Sequence, residues 1–232
     1  MTDVSINFEG ENLGSPWLPV EGSAPAVLIF PTVMGVSDLE KEFGGRLNAL
    51  GYHAMVADPF GTVTRGKEPQ AMLGEMDRLK SDLVALRRRL LALFQAMLDQ
   101  PGVNAGKVAV IGYCFGGMCA LDLARAGAAL AAAASFHGIL EAPAIEPQPI
   151  DTRIVAYHGW DDPYVLPEAV TALAKELTEA GADWQIHGYG QVGHGFTNPN
   201  AGRAGIAGLK YNALAAKRSW ASLELLLAEA FA

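Results

Sequence analysis

The sequence holds two cysteines in 232 residues, too few for a secreted fold stapled by disulfides. Neither has the CxxC partners or clustered histidines of a zinc site. Positive charge is also scarce: 17 Lys and Arg against 25 Asp and Glu give a formal net charge of −8, which repels nucleic acid and anionic lipid. Long apolar runs are absent, the stretch 130–134 being far below the ~20 residues of a membrane span. Residues 1–10 carry Asp3 and Glu9 and no positive residue ahead of an apolar segment, so they do not read as a secretory signal. No internal repeat or linker is visible. The expectation is a cytoplasmic protein without nucleic-acid or membrane partners, monomeric or a small homo-oligomer.

The chain does have apolar content, 50% of residues against 18% charged, enough for a sizeable core, and it is read as one domain over 1–232. Its one local basic patch is Arg87, Arg88 and Arg89. The surrounding apolar residues Met76, Leu79, Leu83, Leu86, Leu90, Leu93 and Met97 recur every three or four positions, as in one long helix, which places the arginines mostly on the opposite face, in solvent. A proline-rich stretch, 141–151, is the one obvious loop-like break.

Short apolar runs alternate with segments of helical period. Strands are expected at 26–30, 53–57, 107–111, 132–136, 153–158 and 184–189, and helices at 39–50, 76–98, 118–126, 167–180 and 211–230. An earlier segment, 4–8, alternates apolar and polar residues as a half-buried antiparallel edge strand would. Strand followed by helix, repeated, predicts an α/β fold with a mostly parallel central sheet and helices on both faces. In such sheets ligands sit at the carboxyl ends of the strands, so the residues just after each strand are the ones to inspect.

After the strand at 107–111 comes Gly112-Tyr113-Cys114-Phe115-Gly116-Gly117, then a helix. A residue at the centre of such a turn is forced into a strained backbone conformation, and small residues two before and two after let strand and helix approach closely. A helix N-terminus also favours a thiolate over a thiol, so Cys114 reads as a nucleophile, whereas Cys119 falls inside the helix and reads as core. The glycine spacing does not fit a dinucleotide-binding loop.

A thiol nucleophile needs a base, and the base an orienting group. The strand at 153–158 is followed by Asp161-Asp162-Pro163-Tyr164-Val165, and the strand at 184–189 by Gly193-His194-Gly195-Phe196. Asp162 is chosen over Asp161, which could cap the following turn. His53, His158 and His187 open, end or lie within strands. His137 also ends a strand on the same edge and is either a pocket residue or a hydrogen-bonded structural histidine.

With the order Cys114, Asp162, His194, and with Pro31-Thr32-Val33-Met34-Gly35-Val36 and Ala57-Asp58-Pro59-Phe60-Gly61 after the first two buried strands, the chain resembles the dienelactone hydrolase family. These are α/β-hydrolases with cysteine where most relatives use serine, and the resemblance spans about 26–230. It implies a Cys114, Asp162, His194 triad, an oxyanion hole from the backbone N–H groups of Val33 and Phe115, and no metal or organic cofactor. Two departures stand out. Thr32 occupies the place of the glutamate that activates the cysteine of the type enzyme. Thr62 and Asn198 stand where it has arginines that hold a substrate carboxylate, although Arg65 and Arg203 are near in sequence.

The resemblance therefore implies hydrolysis of a small, uncharged ester, lactone or thioester rather than of dienelactone itself. Few residues are left over for a large cap domain, so a shallow pocket is expected, formed by loops around Thr32, Phe60, His137, Tyr164 and Phe196. Two readings from other classes fit the same residues: a non-catalytic ligand-binding protein on a hydrolase scaffold, and a redox-sensing thiol at Cys114.

Overall fold

The computed structural model of the chain describes residues 2–143, 148–203 and 205–232. Its strands are β1 (Thr2–Val4), β2 (Asn7–Phe8), β3 (Glu11–Asn12), β4 (Ser15–Leu18), β5 (Ala24–Phe30), β6 (His53–Val56), β7 (Val103–Tyr113), β8 (Ala132–Phe136), β9 (Arg153–Gly159) and β10 (Trp184–Tyr189). Its helices are α1 (Asp38–Ala49), α2 (Pro69–Lys80), α3 (Leu83–Leu98), α4 (Phe115–Arg125), α5 (Pro167–Glu179) and α6 (Ala213–Ala230). Eight strands form one sheet in the order β1-β4-β6-β5-β7-β8-β9-β10, parallel from β6 to β10 and antiparallel at β1 and β4. This is the α/β-hydrolase architecture, and no cap domain rises above the sheet among the described residues.

Alternation along the strands splits the core in two. In β5, Ala26, Leu28 and Phe30 face the layer that includes Leu90, Leu93 and Met97 of α3 and Leu173 of α5. Val27 and Ile29 face the other layer, with Phe43 and Leu47 of α1 and Trp220, Leu223 and Leu227 of α6. Both faces of the central strands are therefore apolar, which is why those strands read as continuous hydrophobic runs.

Several expectations need correction. The segment 4–8 is not one strand: Thr2–Val4 pairs antiparallel with β4, whereas Asn7–Phe8 turns back on Glu11–Asn12 in a separate hairpin. Strand β4 itself was not anticipated, because Ser15-Pro16-Trp17-Leu18 shows no alternation and contains a proline. Strand β7 is longer than 107–111 and passes straight through Gly106. The long helix at 76–98 is two helices, since the Asp82 carboxylate caps α3 by accepting from the Ala85 N–H at 2.9 Å and the chain breaks there although the apolar spacing continues.

The arginine run is not a solvated face. Arg87 makes two bonds to Asp122 of α4 (3.1 and 2.6 Å), and buried Arg89 reaches Glu11 (2.9 Å) and the Pro59 carbonyl (3.2 Å); Arg88 alone stays in solvent, pairing with Glu9. The guanidinium groups bridge α3 to α4 and to the N-terminal hairpin, which neutralises the patch internally. Of the loop-like stretch 141–151, residues 144–147 lie outside the described residues and the rest has no regular structure.

Candidate active site

Strand β7 ends at Tyr113, and α4 begins one residue later. Cys114 between them has φ 55° and ψ −116°, a region L-residues rarely adopt. The neighbouring glycines explain how the turn closes. A Cβ on Gly112 would run into the Gly116 backbone, and one on Gly116 into the backbone of Phe30 and Pro31. The Cys114 N–H donates to the Phe136 carbonyl (3.0 Å), and its carbonyl accepts from the N–H groups of Gly117 (3.0 Å) and Ile139 (3.3 Å). The thiol remains partly exposed at the carboxyl edge of the sheet, at the N-terminus of α4. Cys119 is fully buried in the core, where burial pushes its thiol well up.

Beside this turn runs the loop after β5. The Gly35 N–H donates to the Thr32 carbonyl (3.0 Å), with Gly35 at φ 72°, and Thr32 Oγ1 accepts from the Met34 N–H (3.3 Å). The N–H groups of Val33 and Phe115 carry no hydrogen bond among the described residues. Glu40 was not anticipated. Its buried carboxylate accepts from Ser37 Oγ (2.5 Å) and the Ser37 N–H (3.1 Å), and the Thr32 backbone helps stabilise its charge. Burial raises the Glu40 carboxyl above the usual range, while those donors pull it back. The signal was present in the sequence, since Ser37-Asp38-Leu39-Glu40 is a capping box.

Asp162 is buried after β9, and His194 after β10. Asp162 Oδ2 and His194 Nδ1 lie 2.7 Å apart, and Asp162 Oδ1 accepts from the N–H groups of Tyr164 (2.8 Å) and Val165 (3.3 Å). The turn cap considered for Asp161 is thus made by Asp162 itself, and Asp161 is exposed. The loop carrying His194 is tied down by its own backbone: the His194 N–H donates to the Gly208 carbonyl (2.8 Å), and its carbonyl accepts from the Lys210 N–H (3.2 Å). Burial alone would push the His194 imidazole down, but hydrogen bonds to Asp162 and to the Cys114 sulfur outweigh it and hold the ring at about 10. The imidazole is therefore protonated at neutral pH. Nδ1 faces the carboxylate, which leaves Nε2 for the sulfur.

The other anticipated residues divide. Tyr164 is exposed and sets its ring edge-on to His194, centroids 5.3 Å apart. Thr32 is half-buried in the loop already described. Phe60, His137 and Phe196 are fully buried and form the packing beneath the site instead of pocket walls. Phe60 lies against Phe115 at 5.1 Å, and Phe196 against His137 at 5.2 Å. His137, at φ 39°, meets Thr197 Oγ1 through Nε2 (2.8 Å), and burial holds its ring well below the usual histidine range, hence neutral. His158 is likewise buried and pushed down by burial. Arg65 does not approach the site: it pairs with Asp58 (3.0 Å) and Asp3 (3.1 Å) and donates to the Gly14 carbonyl. Arg203 is exposed.

No group of three or more His, Cys, Asp or Glu able to hold a metal occurs among the described residues, and none of their helices is long and apolar enough to cross a membrane.

A mostly parallel sheet, a cysteine on a strained strand-to-helix turn and a carboxylate–histidine pair on the next loops of the same edge define an α/β-hydrolase. Residues 14–231 match the dienelactone hydrolase family, so the chain belongs to that family and is a hydrolase. Relatives include carboxymethylenebutenolidase 1 of Cupriavidus pinatubonensis, 28% identical over 205 residues, which are 80% of this chain and 82% of that one. A Caenorhabditis elegans protein, K02A2.1, is 36% identical over 152 residues, 63% of this chain and 95% of that one. Among solved structures, the dienelactone hydrolase-like promiscuous phosphotriesterase P91, from metagenomic libraries, superposes with a TM-score of 0.94 at 35% identity, covering 99% of this chain and 98% of that chain.

Proposed function

We propose that this hydrolase cleaves small, uncharged carboxylic esters, lactones or thioesters through an acyl-enzyme on Cys114. The observation that carries the reading is the 2.7 Å contact between Asp162 and His194, on the sheet edge that also carries Cys114 on a strained turn, whose sulfur helps raise the imidazole. The attacking species is the Cys114 thiolate, its proton taken up by His194. The thiolate attacks the carbonyl carbon, a C–S bond forms, and the carbonyl π electrons move to oxygen, where the N–H groups of Val33 and Phe115 hold them. Collapse breaks the C–O bond, and the departing alkoxide takes the proton from His194 Nε2. In a lactone that alkoxide stays tethered to the acyl chain.

Neutral His194 then removes a proton from water, the hydroxide adds to the thioester carbonyl, and collapse breaks the C–S bond. The thiolate and the protonated imidazole are restored with release of the acid. Asp162 fixes the ring orientation and stabilises its charged form throughout. Because His194 can take the thiol proton, the reading does not need a glutamate at position 32 to generate the thiolate.

The chain's likeness to P91 favours neutral phosphotriesters as a second, slower class, since attack by the same thiolate would phosphorylate Cys114. The test is hydrolysis of 4-nitrophenyl acetate by wild type and Cys114→Ala, with intact-mass analysis during turnover. A fall of at least about a thousandfold in the variant and a transient acetyl adduct on wild type are expected. Equal background rates without an adduct would overturn the reading and favour a ligand-binding or redox role for the thiol.

A further inference from the structure

A cavity of about 380 Å³ adjoins the candidate triad and is lined by Ile139, Leu140, Glu141, Tyr164, Val165, Leu166, Glu168 and Ala169. Its walls are bonded to the triad itself. The Ile139 N–H holds the Cys114 carbonyl (3.3 Å), and Asp162 Oδ1 holds the N–H groups of Tyr164 and Val165. The Tyr164 ring lines the cavity and lies edge-on to the His194 imidazole, and its hydroxyl is fixed by donating to the Ala207 carbonyl (3.0 Å). Tyr164 and Leu166 are more than half exposed, at 55% and 57%, so the cavity offers apolar side chains to a ligand.

The charges at this mouth have one sign. Glu141 and Glu168 are exposed, and neither forms an ion pair among the described residues. Arg125 donates to the Leu140 and Glu141 carbonyls and is neutralised by two bonds to Glu176 (2.6 and 2.8 Å). Arg65, near in sequence to the place of the carboxylate clamp, is tied to Asp58 and Asp3. An anionic group entering the cavity would meet two carboxylates and no free guanidinium. A cationic one would meet those carboxylates and the exposed Tyr164 ring.

Resting on the hydrolase reading above, we propose that this cavity seats one arm of the substrate and that Glu141 and Glu168 select its charge. The substrate class is then an ester or thioester with an apolar arm that is neutral or ends in an ammonium group, and arms ending in a carboxylate are rejected.

The experiment uses two matched series. In one, the charge is on the acyl arm: 4-nitrophenyl esters of pentanoate, of 4-(trimethylammonio)butanoate and of glutarate. In the other it is on the leaving arm: 3,3-dimethylbutyl thioacetate, acetylthiocholine and S-acetyl-3-mercaptopropionate. Values of kcat/KM are compared as ratios to each enzyme's own neutral substrate.

In at least one series the anionic substrate should fall about tenfold or more below the neutral one, with the cationic one equal or higher. In Glu141→Gln/Glu168→Gln that ratio should close to within about twofold, and in Glu168→Lys the order of anion and cation should invert. Ratios that are flat in both series, or unchanged in the double variant, would overturn the subsite while Cys114-dependent hydrolysis of the neutral substrates kept the parent reading intact. Absence of Cys114-dependent hydrolysis for every substrate would instead bring down both.

Discussion

Cys114 and His194 come to the sheet edge from turns that are fixed in different ways. The Cys114 turn is held by main chain and by the absence of side chains: Gly112 and Gly116 leave no room for a Cβ, and three backbone hydrogen bonds clamp the residue at φ 55°. The His194 ring is aimed by a side chain from another loop, through the 2.7 Å contact with Asp162, and its charge depends on that partner and on the sulfur. One half of the site is thus fixed by steric exclusion, which is local and insensitive to pH. The other half is fixed by electrostatics across a gap of 32 residues in sequence, which a single proton or amide can undo.

The largest expected break in this contrast is Asp162→Asn. The amide keeps the two turn bonds to Tyr164 and Val165 yet cannot stabilise the imidazolium, so turnover of 4-nitrophenyl acetate should fall by about 10²–10⁴ while the melting temperature moves little. A comparable loss of stability instead would mean that the aspartate acts as a structural cap.

Gly116→Ala should do the reverse. Its methyl meets the carbonyl region of Phe30 and Pro31, so the folded state should lose about 1–3 kcal/mol in urea unfolding, with a further loss of activity from a displaced Cys114. A variant as stable as wild type would show that the turn relaxes cheaply.

Glu40→Ala should cost about 1 kcal/mol through the lost capping box, and Glu40→Gln should recover most of it, because an amide oxygen still accepts from Ser37. If Gln proved as damaging as Ala, the negative charge and not the hydrogen bond would be what holds the loop at Thr32.

The remaining effect is in pH. His194 is raised from 6.5 to about 10 on folding, so the stability its protonated ring contributes is fully present below pH 6.5 and is lost as pH rises through about 10. The advantage of wild type over His194→Gln in thermal unfolding should therefore shrink between pH 6.5 and 10. An advantage that grew with pH would contradict the imidazolium–thiolate pair.

Much of the architecture was legible because the central strands are short apolar runs bounded by glycine or proline and the helices repeat at three and four. The placement of Cys114, Asp162 and His194 was legible for a related reason, as each lies within a few residues of the end of such a strand. What stayed hidden shares another cause. The break at Asp82 is a hydrogen bond inside an unbroken apolar period, and β4 pairs at the sheet margin without any alternation of its own. Arg87 and Arg89 look like a solvated run until Asp122 and Glu11, distant in sequence, are brought against them. Glu40 was visible as a helix cap but not as a buried carboxylate beside the Thr32 backbone.

The sequence by itself determined the alternation of strand and helix, the sheet edge on which chemistry gathers, and the strained turn at Cys114, because these follow from local sterics and periodicity. Tertiary structure alone decided how closely Asp162 and His194 meet, which arginines are neutralised, and that Phe60, His137 and Phe196 are buried while Glu141 and Glu168 line an open cavity. Those outcomes depend on burial and on charges brought together across the fold, and pairwise distance is not written in a linear chain.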